Sequence, residues 1–212
     1  MLIVDGGRNL RRDIHDQVNS RGDAGWTSLP LWLKGQAGDG VGMRKCTQDY
    51  KVEPILQKVR QLAGLRKGQH MPAGTAIEMW LGISTDEAAR RVRDSRVKWI
   101  ENVYPLIGVD MSRQDCIDWF AARYGRPLER SACVVCPFQA RARWIETRDR
   151  YPDLFAEAVH VDAMLRAGQL RYDKTPYLHP RRVPLQEAIA LDEREMDDRD
   201  GFGNECEGHC GL

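Results

Sequence analysis

Cys133-Val134-Val135-Cys136-Pro137-Phe138 is the stretch from which the rest of the chain is read. Two cysteines separated by two residues place both sulfurs on one side of a turn, where they can share a metal or cluster or act as a redox pair. Pro137 suits the first position of a following helix, because its missing N–H has no partner to lose there. Three outlying cysteines sit in short, charged, turn-rich contexts and are candidates to join the pair: Cys46 in RKCTQDYK, and Cys206 and Cys210 in the terminal ECEGHCGL. Cys116 borders the apolar face of a helix and reads as an ordinary core thiol. Cys133 and Cys136 with Cys206 and Cys210 make four thiolates, the complement of a cubane iron–sulfur cluster and equally of tetrahedral zinc. His209 adds a nitrogen that either ligates or is solvated in the tail.

The whole-chain composition bounds the partners. Lys plus Arg (32) nearly cancels Asp plus Glu (31), so net charge points to no particular binding partner. With 42% hydrophobic and 30% charged residues, the 212-residue chain is long enough to bury a sizeable core. No apolar run approaches the roughly 20 residues a membrane helix needs, and MLIVDGGRNLRRD turns polar too soon for a secretory signal. Cysteines without an export signal favour reduced thiols and metal over disulfides, and a cytoplasmic location is the expectation.

Along the chain, Leu2-Ile3-Val4 reads as a short strand ending at Asp5-Gly6-Gly7. Residues 20–43, rich in glycine, read as loop. There Trp26 and Trp32 either cover a core edge or stack on a nucleobase. Val52, Ile55, Leu56, Val59 and Leu62 fall at helical spacing within 51–65. Residues 75–83 alternate as a strand, and Ser84-Thr85-Asp86-Glu87 has the form of a capping box opening a helix through Arg93. Ser112 and Asp115 repeat that logic, with Ile117, Phe120, Ala121 and Tyr124 on one face and Gly125 as the stop. Helices are expected over 137–150, 152–167 and 184–196, followed by the acidic tail DDRDGFGNECEGHCGL. A strand feeding a capped helix after an earlier helix is an α/β pattern.

Arginine and lysine occur in short runs. Arg90, Arg91, Arg93, Arg148 and Arg150 fit either solvated helix faces or anion contacts. Arg44-Lys45 beside Cys46, and Arg181-Arg182 after His179-Pro180, are the stronger candidates for an anionic ligand, since guanidinium forks suit sulfate and phosphate groups.

Four segments, MRKCTQDYKVEPI (43–55), EMWLGISTDEAARR (78–91), SACVVCPFQ (131–139) and ECEGHCGL (205–212), resemble in that order the phosphoadenylyl-sulfate/adenylyl-sulfate reductase family. The likeness is greatest to its phage- and mobile-element-borne members, within the adenine-nucleotide alpha-hydrolase group. The resemblance implies a 4Fe–4S cluster, a thiol nucleophile in the tail that attacks a sulfate sulfur, and a thiol reductant. Cys46 stands where the family has a Cys-Cys pair, but Thr47 replaces the second member. Cys133 and Cys136 match the later pair. The tail matches twice, through Glu205-Cys206 and through Cys210-Gly211-Leu212. The implied assignment is Cys46, Cys133, Cys136 and Cys206 as ligands and Cys210 as nucleophile. The other assignment has three protein ligands and an open iron.

One element of that group is missing. Its pyrophosphate loop, Ser-Gly-Gly-x-Asp-Ser, has no counterpart, because Asp5-Gly6-Gly7-Arg8-Asn9 lacks the serines and leads into no long amphipathic helix. Weak or absent adenine-nucleotide binding by this chain alone is therefore expected, since backbone amides at a helix start are what hold a phosphate. The expected fold class is α/β: a partial adenine-nucleotide alpha-hydrolase-like (Rossmann-like) parallel sheet over 1–110, then a mostly helical, cysteine-bearing portion over 111–212. The expected function is sulfonucleotide reduction or sulfur transfer by an iron–sulfur protein, with an anionic sulfonucleotide or adenine nucleotide as substrate. The alternative is a non-catalytic module, stabilised by zinc or a cluster, that docks on nucleic acid or on a complete partner enzyme. A homo-oligomer or a partner chain suits either.

Overall fold

The computed structural model describes residues 4, 6–66, 68–91, 95, 97–128, 133–168 and 170–195. In chain order the elements are α1 (Leu10–His15), β1 (Trp32–Lys34), β2 (Gly40–Val41), α2 (Glu53–Leu62), β3 (Ile77–Trp80), α3 (Ala88–Arg91), β4 (Ile100–Val103), α4 (Pro105–Gly108), α5 (Arg113–Tyr124), α6 (Arg141–Arg150), α7 (Pro152–Ala167), β5 (Thr175–Tyr177) and α8 (Leu185–Glu195). The fold is mixed α/β with small sheets, one of them a parallel pair. The described residues divide into two compact units, one made of those up to residue 57 with those from 133 to 195, the other of those from 58 to 128. The boundary expected at residue 110 falls inside the second unit, just after α4.

The first unit holds the core. Ile14, Leu29, Leu31, Leu33, Val135, Trp144, Phe155, Ala158, Val161, Leu165, Leu178, Leu185 and Ile189 form one buried cluster, with Cys46 and Val134 packed against it. Its sheet is three-stranded in the order β2-β1-β5, and both pairings are antiparallel. A parallel sheet was expected. The five-residue link 35–39 between β1 and β2 allows only an antiparallel hairpin, and Gly38 at φ 111° supplies its turn. This hairpin lies in the stretch read as loop, because strands of three and two residues are too short to show a period. Gly42 closes it: its N–H donates to the Leu31 carbonyl at 2.7 Å, and a Cβ there would come within 3.1 Å of the Leu31 nitrogen.

Helices α7 and α8 follow their apolar spacing closely. Phe155, Ala158, Val161 and Leu165 line one face of α7, and Leu185, Ala188 and Ile189 line one face of α8. Helix α6 begins at Arg141 rather than at Pro137. Residues 137–140 are used for a turn instead, with Gln139 N–H donating to the Cys136 carbonyl. A stretch of π-helix over Gln48–Val52 precedes α2. Of the strand expected at Leu2-Ile3-Val4, Leu2 and Ile3 lie outside the described residues, and Val4 belongs to no strand.

In the second unit, β3 and β4 pair in parallel, with Ile77 opposite Ile100 and Trp80 opposite Val103. The connection carries a 3-10 turn, Thr85–Glu87, and the short α3. Ser84 makes no cap hydrogen bond; its hydroxyl goes to the Asp86 carboxylate, which also accepts the Arg113 N–H at 2.9 Å. The expected continuation to Arg93 lies outside the described residues. Ser112 does form the full capping box with Asp115, and Gly125 ends α5 in the left-handed region at φ 65°. The apolar face of α5 is not buried, however. Tyr124 is exposed, and Phe120 meets the Tyr124 ring at a 42° tilt, with centroids 4.6 Å apart, and lies under the Arg126 guanidinium at 5.2 Å. Among the described residues of this unit, Ile100 is the one buried hydrophobic side chain. No helix among the described residues is long and apolar enough to cross a membrane.

Candidate thiol site

Main-chain hydrogen bonds shape the cysteine turn. Cys136 N–H donates to the Cys133 carbonyl at 3.1 Å, so the segment folds back on itself in a turn. The Val135 N–H donates to the Cys133 sulfur and the Phe138 N–H to the Cys136 sulfur. Each sulfur thus has a backbone donor that favours its thiolate. The Val135 side chain is buried in the core and pins the turn from below. Above it, the Trp32 indole N–H donates to the Pro137 carbonyl at 2.8 Å, and Phe138 meets the Trp32 ring edge-on at 5.7 Å.

Cys46 lies near enough to the turn to influence both of its thiols. The N–H groups of Lys45 and Cys46 both donate to the Ser28 carbonyl, at 3.2 and 2.9 Å. The charge on Cys46 acts on both Cys133 and Cys136, which lie 87 and 90 residues later in the chain. Cys133 also feels Lys51 and Glu157, and Cys136 feels Arg44. Burial of the sulfurs is the largest influence and pushes both thiols up from the ordinary value, with the neighbouring cysteines adding to it. Cys133 is nonetheless exposed as a residue, and Cys46 and Cys136 are half-buried. As they stand, no three His, Cys, Asp or Glu side chains among the described residues are grouped closely enough to hold a metal ion. The donors themselves, three thiols with backbone N–H support on two of them, fit a soft metal or an iron–sulfur cluster. Cys206 and Cys210 lie outside the described residues, as does His209. Cys116 is half-buried on α5 in the second unit, with its thiol pushed up by burial and by Asp115 and Asp86.

Of the basic candidates, Arg44 lies over the Phe138 ring, 5.5 Å from its centroid. Lys45 lines an open cleft of the first unit. Arg181 and Arg182 are held by the protein itself. Arg181 binds Asp192 and, at 2.5 Å, Glu195. Arg182 sits at φ 53° and donates to the Leu33 and Pro180 carbonyls, both at 3.1 Å. It lies 3.4 Å from Asp39 and 5.4 Å from the centre of the Trp32 ring. Two guanidinium groups therefore flank the Trp32–Phe138 pair beside the cysteine turn, Arg44 on Phe138 and Arg182 on Trp32. Arg148 pairs with Asp149 and Glu193, and Arg150 with Glu146. Arg93 is outside the described residues, and of Arg90 and Arg91 only the backbone is described.

Two buried acids that carry the 178–185 loop had gone unread in the sequence. Asp162 of α7 accepts the N–H groups of Leu178 at 3.0 Å and Leu185 at 3.1 Å, and pairs with Arg166. Asp192 of α8 lies against Arg181, with Arg141 at 3.8 Å. His179 Nε2 approaches Asp192 Oδ2 to 2.9 Å, at an angle outside hydrogen-bond geometry, while its Nδ1 accepts the Arg181 N–H at 3.3 Å. The ring proton therefore belongs on Nε2. Burial, and then Arg141 and Arg181, lower the His179 pKa to about 4 against the pull of Asp192. Each acid continues the buried stripe of its helix, Phe155/Ala158/Val161/Leu165 and Leu185/Ala188/Ile189, and an acid on such a stripe is the signal that marks it.

Comparison of the chain with family models, with curated protein sequences and with solved structures finds no match.

Proposed function

We propose that this chain is an iron–sulfur protein resembling the phosphoadenylyl-sulfate reductases and acting in sulfonucleotide reduction or sulfur transfer. The observation that carries the reading is the Cys133–Cys136 turn, with Cys46 near enough to influence both of its thiols. On this reading Cys46, Cys133, Cys136 and Cys206 hold a 4Fe–4S cluster, which would supply charge and structural order at the site. Cys210 is the nucleophile. Its thiolate forms a sulfur–sulfur bond to the sulfate group, and the bond from that sulfur to the phosphate oxygen breaks, releasing the nucleotide. A thiol reductant then attacks the Cys210 sulfur, releasing sulfite and leaving a disulfide. Arg44 and Lys45 are offered to the anionic substrate. Arg181 and Arg182 serve it only if their internal carboxylates give way. The parallel β3–β4 pair would be the remnant of a Rossmann-like sheet, and the location would be cytoplasmic.

A second reading, a non-catalytic zinc-stabilised module docking on nucleic acid or on a partner enzyme, is favoured by the internal pairing of Arg181 and Arg182. The lack of a phosphate loop favours it too: the glycines at 6 and 7 lead into α1, a helix of only six residues. Anaerobic purification with assay of iron, sulfide and zinc separates the two. Brown protein with iron and sulfide in excess of zinc is expected. Colourless protein holding one zinc per chain would replace the first reading with the second.

A further inference from the structure

An open cleft of about 620 Å³ lies in the first unit, lined among others by Arg21, Trp26, Met43, Lys45, Asp49 and Tyr172. We propose that it binds a flat aromatic ring carrying a single negative charge, such as an aromatic carboxylate or sulfonate. No cysteine lines the cleft, so the proposal stands apart from any metal or cluster.

The walls supply the ring's contacts. Trp26 meets Tyr172 edge-on, with centroids 6.1 Å apart and planes at 83°. Trp26 is 41% exposed and Met43 69% exposed, so a large apolar area faces solvent in a concave place. A flat ring laid there covers it, and a quadrupolar aromatic wall favours stacked or edge-on partners. The cleft is also preformed. Lys45 is rooted by its N–H to the Ser28 carbonyl, and the Arg171 N–H donates to the Gly25 carbonyl at 2.8 Å, tying Trp26's loop to Tyr172's segment.

The charges set the ligand's sign and valence. Both lining carboxylates already have donors. Asp49 accepts the Ser20 and Ser28 hydroxyls at 2.6 and 3.0 Å, and Asp23 accepts the Asn19 amide at 2.9 Å. Among the described residues, the side chains of Arg21 and Lys45 and the Tyr172 hydroxyl have no such partner. An incoming anion therefore finds unpaired donors, whereas an incoming cation finds carboxylates that already hold hydrogen-bond donors on Oδ2. Two cations against two carboxylates also leave the cleft formally neutral. One negative charge takes the cleft to a net charge of −1 and a second takes it to −2, so a dianion meets more repulsion from Asp23 and Asp49. The cleft accordingly selects monoanions over polyanions.

The test is calorimetric titration of the full chain with naphthalene sulfonate. Naphthalene sulfonamide, naphthalene disulfonate and inorganic sulfate run alongside it as the neutral, dianionic and ringless controls. One-to-one binding of the monosulfonate is expected, with each control weaker by about tenfold or more, the scale of one charge-assisted hydrogen bond. Lys45→Ala, Arg21→Ala and Trp26→Ala should each weaken it by about tenfold. All three side chains have exposed surface to lose rather than core, and circular dichroism checks that each variant folds. Absence of saturable binding would overturn the proposal. So would equal binding of the neutral or dianionic probe, or wild-type affinity in all three folded variants. None of these results bears on metal content, which tests the thiol site separately.

Discussion

At the scale of single residues, the 178–185 loop depends on two buried carboxylates and one buried imidazole. Asp162→Ala would leave the N–H groups of Leu178 and Leu185 and the Arg166 guanidinium without their acceptor. A loss of about 3 kcal/mol in unfolding free energy is expected, measured by urea titration. His179 gives a pH dependence whose sign follows from its lowered pKa. The folded state disfavours the charged ring, so the stabilisation is complete above the ordinary value near 6.5. It is lost as pH falls from there to about 4, and is constant below. The full effect is on the order of 3 kcal/mol. The groups facing the ring are Asp192, Arg141 and Arg181. His179→Asn should flatten the urea midpoint between pH 6.5 and 4 relative to the native chain, and an unchanged slope would show that other groups set it. Neither acid was legible as structural, because a carboxylate in a helix reads as solvated until the burial of its stripe is known. The cysteine turn was legible, because a spacing of two residues is a local property of the backbone.

At the scale of elements, patterns were readable where a helix buries one face against the core. Helices α7 and α8 match their expected spans within two residues, whereas the three-residue β1 and the two-residue β2 were not seen. Capping shows the same division. Ser112 and Asp115 exchange both bonds of a capping box, while Ser84, with the same sequence form, turns its hydroxyl to Asp86. Asp86 is drawn instead to the Arg113 N–H, a partner 27 residues away that no local motif announces. Ser112→Ala should destabilise α5 by about 1 kcal/mol, read as faster hydrogen exchange of the amides over 113–124. Helix α5 and the β3–β4 pair bury little, with Trp80, Trp119 and Tyr124 all exposed. Their amides should therefore exchange well before those of α7 and α8.

For the molecule as a whole, the mixed α/β class followed from the alternation of strand and helix patterns, but among the described residues the parallel sheet reduces to one pair and the larger sheet is antiparallel. The thiol site gives the prediction that belongs at this scale, since it joins residues far apart in the chain. Cys46→Ser, Cys133→Ser and Cys136→Ser should each abolish retention of metal after desalting, whereas Cys116→Ser, in the other unit, should retain it in full. Metal analysis of the four variants decides it, and loss in Cys116→Ser alone would move the site elsewhere. The first unit is assembled from two separated segments, and the strand pairing of Trp32 with Tyr177 joins them. That pairing also sets a clock during synthesis. Tyr177 is made ~145 residues after Trp32, so at about 5–20 residues per second β1 waits roughly 7–30 s on the ribosome for β5. For most of that interval Leu29, Leu31 and Leu33 lack α7, and for all of it they lack α8, the helices that complete their core. Slowing translation between residues 60 and 170 should lengthen that exposure and lower the soluble yield.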